Sequence, residues 1–435
     1  MQSIYDNGVG DIEVKGLKKV YKKQNRRNPS KVIKLSNQLR NDGLIQKASD
    51  DLNAPNMKHD KIREGRVTFL YSNSLTDKSE PFKCLDKAKE NAEIFSSWNF
   101  NDKETKELWL THSINAEKSG FSTFYNLYYK DPIKELVNKI KNLDEIELDD
   151  EKTFKQLAVE NNNIFENRNR GNLYEVAQSE HINKLNIILD LPWGKVKKQI
   201  VNQDSLLSYK YDGLTNTHKA STSRDPILRQ LDDLYEIIEL YINNNINGFL
   251  RKCTYQIKSI KDKQMLTAIM NKLINSISEM KSIEEILKYA LENDLVHKKD
   301  GFNSFINGRG YYLWERVKSI SFQEYNKSIE YQKDYLPFAT QHSVKGSEYN
   351  NVLVVLDNGG WNKYNFHKYF LGTAKESIKE RTEKLLYVCV TRAKRELVVY
   401  MELDILSKEI VLKKMRELFG EDNVLSIDEI INVDN

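Results

Sequence analysis

An α/β protein, built as a parallel-sheet domain interrupted by a large all-helical insertion, is what three features of the 435-residue sequence predict. Val352-Leu-Val-Val-Leu356 is a short, continuous apolar run closed by Asp357-Asn-Gly-Gly360, the pattern of a strand buried on both faces. Glu383 to Leu397 reads as a helix feeding a second strand, Leu397-Val-Val-Tyr-Met401. Strand, crossover and strand make a βαβ unit. From Pro132 to about Lys333 the pattern changes, and apolar residues recur at intervals of three and four.

The other elements follow in chain order. Lys31 to Leu39 has helical spacing behind a basic run, and Asn41 to Gly65 is a polar loop. Arg66-Val-Thr-Phe-Leu-Tyr71 and Glu107-Leu-Trp-Leu-Thr111 are strands by aromatic and β-branched content, with a helix between them over Pro81 to Trp98. In the insertion, Ile133, Leu136, Val137 and Ile140 form one stripe. Leu231, Leu234, Ile237, Ile238 and Tyr241 form another, and Ile269, Leu273, Ile274, Ile277 and Met280 a third. Ser282-Ile-Glu-Glu285 has the form of a capping box opening one more helix. Lys210 to Asp225 reads as a long polar loop. Leu403 to Phe419 is amphipathic, and Val424 to Ile427 adds an edge strand.

Composition narrows the function classes. A net charge of +4 is too small for a polybasic nucleic-acid coat, so any affinity for nucleic acid must come from local patches. Cys84, Cys253 and Cys389 are far apart, with neither metal-ligand nor disulfide spacing, which fits a reducing cytosol. No run is apolar enough to span a bilayer and no signal peptide precedes the first charges. A cytoplasmic protein with no membrane partner and no metal site of its own is expected.

Four stretches carry the chemistry. Thr340-Gln-His-Ser-Val-Lys-Gly-Ser-Glu-Tyr349 and Leu385-Leu-Tyr-Val-Cys-Val-Thr-Arg-Ala393, within the Glu383 to Leu397 stretch, resemble motifs V and VI of the UvrD/Rep-like superfamily 1 DNA helicases. The family forms are T-x-H-x-x-K-G-x-E-(aromatic) and L-x-Y-V-x-x-T-R-A. Gln2-Ser-Ile-Tyr5 resembles motif III, although Asn7 and Gly8 stand where the family carries an aromatic–Arg pair. Asn25-Arg-Arg-Asn28 is similar to motif IV, N-(aromatic)-R-S, with Arg26 for the aromatic and Asn28 for the Ser. The lysines around Arg27 read as surface charge.

The resemblance implies a division of the chain. Residues 1–16 would be a remnant of a first RecA-like domain, and 17–130 with 334–435 the second RecA-like domain. Residues 131–333 would be a helical insertion like the family's 2B subdomain. Arg27 and Arg392 would reach the γ-phosphate of ATP, since a planar guanidinium stays charged and binds phosphate oxygens in pairs. Gln2 would sense hydrolysis. Glu348 would accept a hydrogen bond from the ribose, and Gly346 would lie beside the nucleotide. Thr340, His342, Lys345 and Tyr5 would touch single-stranded DNA.

The sequence holds no G-x-x-x-x-G-K-[ST] loop: Trp193-Gly-Lys-Val196 lacks the spaced glycine, and Ser347 rather than Lys follows Gly346. The P-loop and the Mg²⁺ ligands are therefore expected on an N-terminal helicase half, in cis or in trans, and this chain alone is expected to be inactive. The alternative is a degenerate helicase half that binds DNA or a partner without turnover. A pure scaffold is the third reading.

Overall fold

The computed structural model describes residues 22–431, apart from 41, 60, 74–81, 144–147, 200, 213–216, 222 and 359. The described chain forms two compact units. One comprises the chain up to Lys118 and from Asp334 onward, and the other is Ser119–Lys333.

The first unit is an α/β domain on a six-stranded, all-parallel sheet. Its strands are β1 (Arg66–Asn73), β2 (Thr105–Trp109), β3 (Phe338–Thr340), β4 (Tyr349–Val355), β5 (Ala393–Leu403) and β6 (Val424–Ser426), in spatial order β3-β2-β4-β5-β1-β6. Alternation along β4 and β5 feeds two cores. Val352 and Val354 of β4 join Leu397 and Val399 of β5 on one face. Leu353, Val355, Val398 and Tyr400 occupy the other. That is why these runs read as continuous apolar sequence: each strand is covered on both sides. On the first face lie α1 (Ser30–Gln38), α4 (Glu376–Val390) and α5 (Lys408–Phe419), through Val32, Leu385 and Met415. On the second lies α2 (Lys83–Asn91), through Leu85 and Ala88. Between β2 and the first junction the chain forms α3 (His112–Lys118). β6 pairs only with β1 and is an edge strand.

The second unit is predominantly helical. Pro132–Lys141 is capped by Asp131, whose carboxylate accepts from the Ile133 N–H. Ser282 and Glu285 form the capping box read from the sequence and open Ile283–Glu292. The stripe through Leu231 is buried on Pro226–Ile242, whereas on Ile260–Ser278 the buried line runs through Leu266, Met270, Leu273 and Ile277 and leaves Ile269 and Ile274 half-buried. Met280 lies past the end of its helix, at φ 63° and 55% exposed, so the third stripe stops one turn short. The stretch expected as a loop from Lys210 contains an antiparallel hairpin instead, Tyr209–Asp212 with Thr217–Ala220. Only Tyr209 and Tyr211 alternate with charged residues there, and Thr217-His-Lys-Ala220 has no aliphatic alternation, so no hydrophobic period announced it.

The first junction falls at 118/119, ahead of the 130/131 boundary read from the sequence. Ser122–Tyr129 packs on Phe322–Gln332, with Phe124 edge-on to Tyr325 and Phe121 beside Tyr331. Those aromatics carry the segment into the helical unit. The second junction lies at 333/334 and is pinned by Lys106 of β2. Its fully buried ammonium meets the Asp334 carboxylate at 2.9 Å and donates to the carbonyls of Asp334 and Leu336.

Candidate functional site: two arginines at one cleft

Arg27 precedes α1, and Glu348 immediately precedes β4. Arg392 closes the turn from α4 into β5. Parallel pairing of β4 with β5 sets Tyr349 opposite Ala393, so Glu348 and Arg392 lie at the same end of neighbouring strands. Arg27 Nε donates to Glu348 Oε2 at 2.6 Å. Both side chains line a 430 Å³ cleft whose wall also includes Arg26, Asn28, Thr391 and Lys394.

Arg392 lies behind that wall, only 2% exposed. Its Nε donates to the Val388 carbonyl at 2.8 Å, Nη1 to the Ser347 carbonyl at 3.0 Å, and Nη2 to the Thr391 hydroxyl at 2.9 Å. A guanidinium has five N–H groups. One on each terminal nitrogen therefore carries no hydrogen bond among the described residues. All three partners are neutral. Burial, with the Arg27 charge nearby, lowers the Arg392 pKa to about 10. A buried cation without a carboxylate partner costs several kcal/mol on the order of magnitude set by desolvation. An anion arriving at this cleft would recover part of that cost.

Gly346 is in the left-handed region at φ 96°, and a Cβ there would meet nothing within 4 Å. The glycine serves the turn between β3 and β4 rather than a close approach to neighbouring atoms.

Two of the residues read as DNA contacts, Thr340 and His342, lie at the other end of the sheet. Thr340 ends β3 and is 3% exposed, and its hydroxyl accepts from the Ser343 N–H at 3.1 Å. That side chain shapes the turn and does not face solvent. Lys345 is exposed. His342 is half-buried and shares a 2.8 Å hydrogen bond with the Tyr364 hydroxyl. Trp361 stacks on Tyr364 with centroids 5.9 Å apart and stays 47% exposed. Burial depresses the His342 pKa, and burial plus the His342 charge takes His112 down to about 4. Both rings are neutral at pH 7.

Gln2 and Tyr5 lie outside the described residues. Among the described residues no cluster of His, Cys, Asp and Glu could hold a metal ion, and no helix is long and apolar enough to cross a membrane. Sequence reading missed Trp361 and Tyr364, although two aromatics in the polar loop after an apolar strand were a visible signal. It also missed Asn56, which no pattern marks.

No family model matches the chain. It is 22% identical to Gabija protein GajB of Bacillus cereus (strain HuB5-5) over a 445-residue alignment that takes in 97% of this chain and 54% of the relative. The chain thus spans about half the length of the curated relative it matches.

Proposed function

We propose that this chain is the C-terminal part of an ATP-dependent DNA helicase or translocase, supplying the arginine side of the ATP site and part of the single-strand track. One observation carries the reading. Arg27 lines the cleft, Arg392, 365 positions later in the sequence numbering, lies buried directly behind its wall within reach of the Arg27 charge, and among the described residues Arg392 has no carboxylate partner. The donor set fits a phosphate group: two guanidiniums, one with an unused N–H on each terminal nitrogen, and an ion pair able to exchange its carboxylate for phosphate oxygens. The alignment with Gabija protein GajB runs almost the length of the chain and supports a helicase-family reading.

ATP with Mg²⁺ would supply the phosphoanhydride to be cleaved, and a P-loop domain, in cis or in trans, would hold them. This chain's residues then position and neutralise. Arg27 leaves Glu348 for a phosphate oxygen. Arg392, fixed by Val388, Ser347 and Thr391, presents permanent positive charge where negative charge grows. Glu348, released, is free to accept from a sugar hydroxyl. His342, Lys345 and the exposed Trp361 form the strand-facing surface, with Trp361 offering a flat face for a base.

The test is ATP turnover stimulated by single-stranded DNA, in this chain joined by a P-loop-bearing half. The chain alone should be inactive. In the assembly, Arg392→Ala should cost about 10³–10⁵ in turnover while single-strand binding persists. Normal turnover by that variant would refute the assignment. A second reading, a non-catalytic DNA- or partner-binding module, draws on Arg392 being tied to its own backbone; it predicts single-strand binding with no turnover even in the assembly.

A further inference from the structure

We propose that Asn28 and Asn56 are positioning residues that hold Arg27 and Arg392 at a fixed spacing, so that one phosphate group can meet both. The proposal rests on the reading of the cleft given above and adds the device that builds it.

Asn56 is wholly buried. Its Nδ2 donates to the carbonyls of Asn25 at 3.0 Å and Asn28 at 2.8 Å, so one amide grips the chain on both sides of Arg27. Asn28, 2% exposed, repeats the arrangement across the cleft. Its Nδ2 donates to the carbonyls of Thr391 at 2.9 Å and Ala393 at 2.8 Å, the two neighbours of Arg392. Asn25 closes the set. Its Oδ1 accepts from the N–H groups of Arg27 at 3.0 Å and Asn28 at 2.9 Å, and its Nδ2 donates to Asn28 Oδ1 at 3.0 Å. Three amides therefore fix the backbone on both sides of both arginines.

Such a device answers a physical need. Two guanidiniums repel each other, and with no anion between them packing alone would let them part. Here the buried amide donors and the backbone groups they grip are paired, and hydrogen bonds in a low-dielectric interior favour one geometry. Phosphate chemistry is sensitive to that geometry, since a misplacement of about 1 Å can cost roughly 100-fold. Among the described residues Asn56 Oδ1 has no hydrogen-bond partner, so the two donated bonds hold the amide. An Asp at this position would set an oxygen against two carbonyls.

The experiment is calorimetric titration of inorganic pyrophosphate into this chain, with thermal melting of each protein to fix the folded fraction. Asn28→Ala and Asn56→Asp should each weaken binding at least about tenfold relative to the parent. Asn28→Ser keeps one donor for two carbonyls and should fall between Asn28→Ala and the parent; it also serves if Asn56→Asp fails to fold. The control is Asn365→Ala, which removes the cap accepting from the Lys368 N–H at 2.8 Å and touches neither arginine segment. It should lower the melting temperature and leave pyrophosphate affinity unchanged. Parent-like binding by folded Asn28→Ala would overturn the positioning role and leave the cleft reading standing. A parent that binds no pyrophosphate would overturn the cleft reading itself, and this inference with it.

Discussion

Replacing Arg392 with methionine separates a charge kept for a ligand from a charge kept for the fold. At neutral pH the buried guanidinium carries a penalty. Its pKa is lowered to about 10 by burial and by Arg27, which corresponds to roughly 3 kcal/mol of lost stability. The sign follows from proton linkage: the folded state holds this proton less tightly than the unfolded chain does. The penalty is therefore present at pH 7 and is relieved only as pH rises past about 10. Methionine removes the penalty and leaves the Ser347 carbonyl without its donor, at about 1–3 kcal/mol. The Val388 carbonyl still accepts from the Thr391 hydroxyl at 3.0 Å. The two effects nearly cancel, so Arg392→Met should shift the α/β unit's stability by less than about 2 kcal/mol. Arg224 in the helical unit is the contrast. It is equally buried, but Nε and Nη2 meet the Asp232 carboxylate at 2.7 Å each. Arg224→Met strands that carboxylate and should cost its unit about 3–5 kcal/mol. Native-state hydrogen exchange of the β4 and β5 amides, and of the Pro226–Ile242 helix, reads the two units separately. A loss above about 4 kcal/mol in Arg392→Met would mean the arginine is a structural staple and would undo the argument that it waits for an anion.

Three further outcomes can be checked. Glu348→Gln should tighten pyrophosphate binding severalfold by freeing Arg27, and should cost under about 1 kcal/mol because the ion pair is partly exposed; weaker binding would show that Glu348 organises the cleft instead of occupying it. The α/β unit should be fully stable above pH 6.5 and lose up to about 3 kcal/mol as pH falls toward 4, since His112 must stay neutral when folded. His112→Gln should flatten that slope in a denaturation series, and an unchanged slope would assign the loss elsewhere. Lys106→Met leaves the carbonyls of Asp334 and Leu336 without their donor and should cost about 2–4 kcal/mol, read as faster exchange in β2 and β3.

The sheet was legible because its central strands bury both faces, so composition alone marks Val352 to Leu356 and Leu397 to Met401. The capping box at Ser282 was legible because its chemistry is local. The 118/119 junction was not. It depends on whether Phe121 and Phe124 find partners more than 200 positions later, and no periodicity reports that. At the cleft, the family resemblance assigned Arg27, Arg392 and Glu348 to one nucleotide, but it did not give the ion pair between Arg27 and Glu348. Asn56 was invisible, because a polar residue in a loop looks solvent-facing until its neighbours are known.

The two candidate surfaces of the α/β unit lie at opposite ends of its sheet, and one segment joins them. Thr340 ends β3 level with Trp109 at the end of β2, whereas Glu348 stands just before β4 begins. Residues 341–348 must therefore run back along the sheet for roughly 20 Å, the rise of about six or seven strand residues. His342 lies at one end of this run beside Tyr364, and Glu348 at the other beside Arg27. The run is anchored between them. Gln341 Nε2 donates to the Val355 carbonyl at 2.7 Å, the Gln341 N–H to the Trp109 carbonyl at 2.8 Å, and Val344 is 1% exposed in the core beside α4. Such a strap transmits displacement better than a free loop, because packed segments have few alternative positions. If phosphate draws Arg27 from Glu348, the nearest freedom left to the strap is at Gly346, whose positive φ tolerates reorientation. Under the function proposed above, nucleotide and strand would have to be coupled, and eight residues join the two candidate surfaces without leaving the domain.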